Sequence, residues 1–299
     1  MSLIKTYVFL ILCVLFWAGN FVLGRFIKDD ITPFEMAFFR WLFVLIIISP
    51  ILVIRFKNIY TVLKQNYLIL FVLSALGITA YNTFLYIALT MTTTTNALMI
   101  NSTVPILILI LSYFILKQKL VLHQLIGITL STIGVVFLIL KGNLANIFSL
   151  TFNQGDLWII LSSLSWAFYS VLIKFKPKNL NNFELFATLV FLGFFILLPI
   201  YLYQGYSFTH EVNILLSNYT VFIYISVFAS TLSYYFWHYG IDHIGASKTG
   251  QFVHLMPLFG TSLAYMFLNE RLLLYHLIGA ILIAIGIYLS LFYKVKSND

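Results

Sequence analysis

Acidic residues are the scarcest component of this sequence: nine Asp and Glu stand among 299 residues, and charged residues of both signs make up only 9%. That leaves too little polar surface for a water-soluble domain of this size. The nine carboxylates, Asp29, Asp30, Glu35, Asp156, Glu184, Glu211, Asp242, Glu270 and Asp299, all lie at or near the ends of apolar runs. No acid is placed mid-run to carry a cation or proton through a bilayer centre. A single cysteine, Cys13, excludes an intrachain disulfide and implies no redox pair. The sequence also lacks a Gly-rich phosphate loop ending in Lys-Ser/Thr, a Gly-x-Ser-x-Gly elbow and an HExxH zinc motif. His238 and His254 have no acidic or thiol ligand set nearby, so neither a metal nor a cofactor is expected.

What the chain has in abundance is hydrocarbon: 62% hydrophobic residues and a mean hydropathy of +1.00. Apolar runs fall near 5–24, 33–54, 67–90, 94–116, 121–141, 156–175, 183–204, 219–240, 247–268 and 273–293. Each suffices to cross a hydrocarbon core of about 30 Å as a helix. The expected class is an all-α integral membrane protein of ten transmembrane helices. Strands of a membrane barrel are shorter and alternate in polarity, so that reading is set aside. The net charge of +8 records topology rather than nucleic-acid binding. With a cytoplasmic N-terminus, Lys5, Arg55, Lys57, Lys64, Lys117, Lys119, Lys174, Lys176, Lys178, Lys248, Lys294 and Lys296 fall inside, against Arg25, Lys28, Lys141 and Arg271 outside. That bias places both termini in the cytoplasm. The first run is longer than a signal-peptide core and no small-residue cleavage pattern follows it, so it reads as a retained helix.

The chain repeats itself. Shifting by 152 residues aligns Pro105 with Pro257, Leu120 with Leu272, Gly127 with Gly279 and Gly134 with Gly286. Shifting by 149 aligns Trp17-Ala18 with Trp166-Ala167, Arg25 with Lys174, and Phe34-Glu35 with Phe183-Glu184. The expected units are 1–141 and 156–299, five spans each, joined by 142–155. An odd span count obliges the copies to cross the bilayer in opposite senses, an arrangement common in secondary transporters.

Together these motifs resemble the drug/metabolite transporter superfamily, specifically its ten-helix bacterial EamA-type transporters, over the whole chain. Trp17-Ala-Gly-Asn-Phe-Val is similar to that family's opening motif, Arg40 to its second-span arginine, and Asn269-Glu270-Arg271-Leu272 to its acidic turn after the ninth span. The run 94–105 is similar to its fourth helix. Gln118 departs from the pattern, standing where the first repeat often carries the matching glutamate. The resemblance implies a bacterial inner-membrane transporter, not an enzyme, with a central cavity built from the first, third, fourth, sixth, eighth and ninth spans.

Polar residues inside apolar spans are costly and usually face a bundle interior. Asn20, Asn82 and Asn101 fall toward the outer side of their spans, while Tyr169, Tyr234, His238, Gln251 and His254 fall toward the inner side, as inversion requires. With Trp17 and Tyr86 they form the candidate substrate path. Pro105 and Pro257 are candidate gating positions: each cannot donate to the carbonyl four residues earlier, that of Asn101 or Val253, so a kink and a free acceptor are expected. The alternative is a packing kink satisfied by Ser102 or Thr103. His254 is the stronger histidine candidate, able to titrate near neutral pH; His238 has an interfacial alternative beside Asp242 and His243. Arg40 stands in poor helical registry with Glu35, so a partner on another helix or a free carbonyl is expected, in a structural role. The glycine pairs suggest close packing of the fifth and tenth spans, with a homodimer contact as the alternative.

The expected partners are a small-molecule substrate and the lipid bilayer, not nucleic acid. The expected function is secondary active or facilitative transport, with export favoured, of a small neutral or zwitterionic metabolite such as an amino acid. An intramembrane enzyme and a purely structural membrane protein are the competing classes.

Overall fold

The computed structural model describes residues 3–27, 29–119, 121–149, 152–268 and 273–292. The Asn269-Glu270-Arg271-Leu272 turn lies outside these residues, as do Lys28, Leu120, Lys294, Lys296 and Asp299. No strand occurs among the described residues, and nine of their helices are long and apolar enough to cross a membrane. In chain order the first half comprises α1 (Leu3–Phe26), α2 (Pro33–Ile54), the short α3 (Phe56–Gln65), α4 (Tyr67–Met91), α5 (Asn96–Leu116) and α6 (Leu122–Ile139). The second half comprises α7 (Gln154–Phe175), α8 (Asn182–Tyr203), α9 (Phe208–Ile244), α10 (Met256–Leu268) and α11 (Leu274–Phe292).

Helix is the form in which an apolar run satisfies its own backbone in lipid. The starts of α2, α7 and α8 are fixed by capping boxes in which Thr32, Asn153 and Asn181 pair with Glu35, Asp156 and Glu184. This explains why buried carboxylates cluster at helix ends: each accepts orphan N–H groups there. Two of them also join the halves. Glu35 meets His210 Nε2 at 2.7 Å, and its repeat equivalent Glu184 meets Arg55 Nε at 3.4 Å.

The region between the second and third expected spans is not a plain loop. In α3, Ile59 and Val62 are buried while Phe56, Lys57, Tyr60 and Lys64 stay exposed, the pattern of a helix lying along an interface. Its counterpart, 152 residues on, is the start of α9, which therefore begins at Phe208, well ahead of the expected 219. Asn66 and Asn218 turn the chain at matching positions, with φ/ψ of −129/29° and −123/19°. Each asparagine donates back to a carbonyl four residues earlier, Val62 O at 3.0 Å and Ile214 O at 3.2 Å.

Both prolines lie at breaks, but in first turns rather than mid-helix. In α5 a turn at Ser102–Thr103 separates Thr94–Asn101 from Val104–Leu116, so Pro105 is the second residue of a new helical segment. The Ser102 and Thr103 hydroxyls donate to Met99 O and Ile100 O, at 2.5 and 2.7 Å. The stretch 247–268 is likewise divided: a short helix, Ala246–Gly250, runs through a 3-10 turn, Gln251–Leu255, into α10 with Pro257 in second place. The Val253 carbonyl, expected free, accepts from Met256 N–H because the 3-10 turn shortens the hydrogen-bonding step.

The glycine pairs do pack helices together, and within one chain. A Cβ on Gly127 would stand 2.5 Å from Gly286 O, and one on Gly134 would stand 3.0 Å from Gly279 O. Positions rise along α6 as they fall along α11, so these equivalent helices run antiparallel about a pseudo-twofold axis.

Candidate functional site

The third span of each repeat carries a π-helical segment at its middle, Ala75–Ala80 in α4 and Ile225–Leu232 in α9. Widening the turn loosens the regular backbone ladder, and side chains reach the equivalent carbonyls of Gly77 and Ala229. Tyr234 Oη donates to Gly77 O at 2.5 Å, while Trp17 Nε1 and Arg40 Nη2 donate to Ala229 O at 3.0 and 3.1 Å. Glycine is required at 77 because a Cβ there would run into the Tyr169 ring.

Around these two carbonyls the halves interlock. Asn82 Nδ2 donates to Tyr234 Oη at 3.1 Å, a bond between positions equivalent in the two repeats. Trp17 meets its own equivalent Trp166 edge-to-face, ring centroids 5.0 Å apart. Trp166 in turn packs on Tyr81, Tyr169, Tyr234 and Trp237. Tyr169 Oη hydrogen-bonds His238 Nε2. Arg40 is 1% exposed and donates through Nε to Ser230 Oγ at 2.7 Å and through Nη1 to Tyr86 Oη at 2.9 Å and Asn20 Oδ1 at 3.4 Å. The expected candidates Trp17, Asn20, Asn82, Tyr86, Tyr169, Tyr234 and His238 thus form one linked, buried network.

Asn101, Gln251 and His254 belong to a second group. His254 Nε2 lies 3.0 Å from Ser102 O, and its Nδ1 lies 2.7 Å from Ser131 Oγ. A carbonyl only accepts, so the neutral ring carries its proton on Nε2 and Nδ1 accepts from Ser131. Ser102 is the repeat equivalent of His254, so this bond too crosses the pseudo-axis. Asn101 Nδ2 contacts Met256 Sδ at 3.6 Å.

Several polar atoms in these groups have no hydrogen-bond partner among the described residues: Asn82 Oδ1, Trp166 Nε1, His238 Nδ1, and both amide atoms of fully buried Gln251. Buried polar atoms left unpaired are expensive. A cavity of about 700 Å³ lies elsewhere, between the end of α2, the start of α8 and the last turns of α9, lined by Arg55, Glu184, Tyr235, Tyr239 and His243 among others. None of the expected site residues lines it.

Sequence reasoning did not single out Trp166 or Tyr81 as members of this network, and it gave Arg40 a partner on another helix or a free carbonyl without naming Ser230, Tyr86, Asn20 or Ala229. Trp166 was detectable as the repeat partner of Trp17. The Gly77 and Ala229 carbonyls had no sequence signal, because a π turn leaves no composition mark.

Fold and site together define a multi-pass membrane protein of two interlocked repeats with a polar centre. The chain belongs to the EamA-like transporter family, whose pattern matches residues 4–140 and again 153–292. An uncharacterized transporter of Archaeoglobus fulgidus is 30% identical over 96% of this chain and 97% of its own length. The uncharacterized transporters YyaM and YetK of Bacillus subtilis are each 26% identical, over 96% and 98% of this chain and 93% and 88% of their own lengths. A solved crystal structure superposes with a TM-score of 0.75 at 16% identity, covering 97% of both chains, which establishes the likeness of fold. The protein is accordingly a transporter.

Proposed function

We propose that this transporter moves a small neutral or zwitterionic metabolite, such as an amino acid, by alternating access, with export as its direction. The moving bodies are residues 1–141 and 156–299, rocking about the pseudo-axis, in a bacterial plasma membrane with both termini in the cytoplasm. The observation that carries this reading is the Asn82–Tyr234 bond, which ties equivalent positions of the two halves together beside the unpartnered Asn82 Oδ1. Such a bond closes the centre in one conformer and parts when the repeats tilt. Pro105 and Pro257, each just after a break in the helix, supply hinges. Aromatic walls take the apolar part of a solute, and amides, hydroxyls and backbone carbonyls take its polar ends.

Energy comes from a gradient of solute or of protons. His254 is the proposed proton carrier, since a charged ring would donate to both Ser102 O and Ser131 Oγ without leaving a group unpaired. The test is counterflow of labelled amino acids in proteoliposomes, with and without a pH gradient. Flux is expected in the wild type and not in empty vesicles; absence of flux for every solute tried ends the reading. Flux indifferent both to the pH gradient and to His254→Gln removes proton coupling alone.

A further inference from the structure

Arg40 is a full positive charge enclosed in the protein centre with only neutral company. Its four hydrogen-bond partners are a serine, a tyrosine, an asparagine amide and a backbone carbonyl, and its guanidinium carbon lies 5.1 Å from the Trp41 ring centroid. Among the described residues, the ion pairs found for buried carboxylates are Glu35 with His210 and Glu184 with Arg55, and none reaches Arg40. Nor does the duplication supply a balancing charge, for the equivalent position in the second repeat is Leu189, also fully buried. An uncompensated buried ion is costly in a membrane core and marks a functional pairing.

The geometry around Nη1 suits an incoming anion. Tyr86 Oη donates to Asn20 Oδ1 at 3.0 Å, so these two remain bonded to each other if both leave the guanidinium. Withdrawing them orphans neither side chain, and it frees the Nη1 hydrogens. Tyr86 also lines a cavity of about 10 Å³ with Gly24, Ile27, Met36 and Thr90, about the size of one water. The tyrosine therefore touches both the cation and this small cavity. A planar fork of N–H groups matches carboxylate and phosphate geometry alike, and a lone guanidinium among neutral partners balances the single charge of a carboxylate rather than the near-double charge of a phosphate monoester.

We infer that Arg40 receives the carboxylate of the transported solute, with Tyr86 and Asn20 as its stand-ins when no solute is bound; this rests on the transport reading above, keeps the zwitterions of its substrate class, drops the solutes without a carboxylate and adds simple organic acids. A zwitterion or a simple organic acid qualifies, whereas an amine or a neutral alcohol does not.

The test measures thermal shifts of the purified full-length protein in detergent against the common amino acids, their 2-oxo acids and short aliphatic acids, each beside its methyl ester and carboxamide. At least one acid is expected to stabilise the protein, with its ester and amide weaker by roughly 30-fold or more in apparent affinity. Arg40→Gln is expected to bind acid and ester alike. Asn20→Asp, which sets an internal anion beside Nη1, is expected to raise the melting temperature of the ligand-free protein and abolish the acid's shift; it carries the test should Arg40→Gln fail to fold. Equal binding of acid and ester, no shift with any acid, or discrimination that survives both variants overturns the inference. Proteoliposome flux separates the two claims: flux with unchanged acid preference in Arg40→Gln removes the anion site and leaves transport standing, whereas acid binding without any flux does the reverse.

Discussion

Replacing Gly127 with alanine tests the antiparallel seam on which the two repeats are joined. The new methyl would stand 2.5 Å from Gly286 O, 2.6 Å from Ser290 Cβ and 2.7 Å from Ser290 N, where ordinary contact begins at 3.4 Å. Two of those three atoms are backbone and cannot rotate aside. To accommodate it, α6 and α11 must part by about 0.9 Å, the difference between 3.4 and 2.5 Å. A gap of 0.5–1 Å forfeits roughly a quarter to a half of the dispersion well for each contact it opens. Overpacking of this kind costs about 1–3 kcal/mol, offset by about 1 kcal/mol from the better helix propensity of alanine. The expected net loss is about 1–2 kcal/mol, read as the midpoint of unfolding when SDS is titrated into mixed micelles. Gly260→Ala is the control, because a methyl there meets only Leu98 Cδ1 at 3.9 Å, and it should be neutral or stabilising. Gly286→Ala should resemble Gly127→Ala, and the double variant should cost less than the sum, since the first methyl has already opened the gap the second needs. Gly127→Ala as stable as Gly260→Ala would refute the seam.

Pro105→Ala should change stability by less than about 1 kcal/mol, because a proline in a helix's first turn removes an N–H that had no intrahelical partner; thermal unfolding in detergent checks it, and a gain of several kcal/mol would mean the ring had been breaking a continuous helix. Asn66→Ala and Asn218→Ala each remove a bond from the side chain to a carbonyl four residues back and should each cost about 1 kcal/mol. Amide exchange should rise in α3 and in the first turns of α9 respectively, and exchange unaltered in those segments would show the asparagines to be bystanders.

Much of the fold was legible because its causes are local. Long apolar runs set the spans through neighbours in sequence, and glycines seven apart share one helix face for the same reason, although the contacts they permit, Gly127 on Gly286 and Gly134 on Gly279, lie across the two repeats. The interfacial helix α3 was missed although Asn66-Tyr67 aligns with Asn218-Tyr219 at the same shift of 152 that relates the prolines. Its ten residues, with Lys57, Asn58, Thr61, Lys64 and Gln65 among the apolar ones, are too short and too polar a run to register as a span. Polarity in an apolar context singled out Asn20, Asn82, Tyr169, Tyr234 and His238, since that is a property of composition. Arg40 was harder to read, because its surroundings are set, beyond the adjacent Trp41, by side chains from distant parts of the chain, Asn20, Tyr86 and Ser230, and by the Ala229 carbonyl in a widened turn. The mid-helix kinks expected at Pro105 and Pro257 gave way to a turn at Ser102–Thr103, whose hydroxyls bond back to Met99 and Ile100, and to a 3-10 segment at Gln251–Leu255, so that each proline sits in a first turn.

The pseudo-axis imposes a chemical rule on whatever lies on it. Two copies of one residue meet there only if the residue complements itself, as an aromatic ring does edge-to-face, and Trp17 still faces Trp166 as tryptophan against tryptophan. At the other crossings the equivalents differ and meet through hydrogen bonds instead: Asn82 donates to Tyr234, and the Ser102 carbonyl accepts from His254. These crossings are where repeat symmetry is broken, so their bonds should be coupled to the relative tilt of the halves. A double-mutant cycle on Asn82→Ala and Tyr234→Phe should give a coupling of about 0.6–1.7 kcal/mol in detergent stability, the range of interhelical bonds in membranes. Either single variant should also raise the labelling rate of a cysteine placed at Thr83, which is buried beside the pair, because the conformer closed by this bond becomes less populated. Additive stabilities together with unchanged labelling would mean the bond is incidental and the two repeats are held shut by their aromatic packing alone.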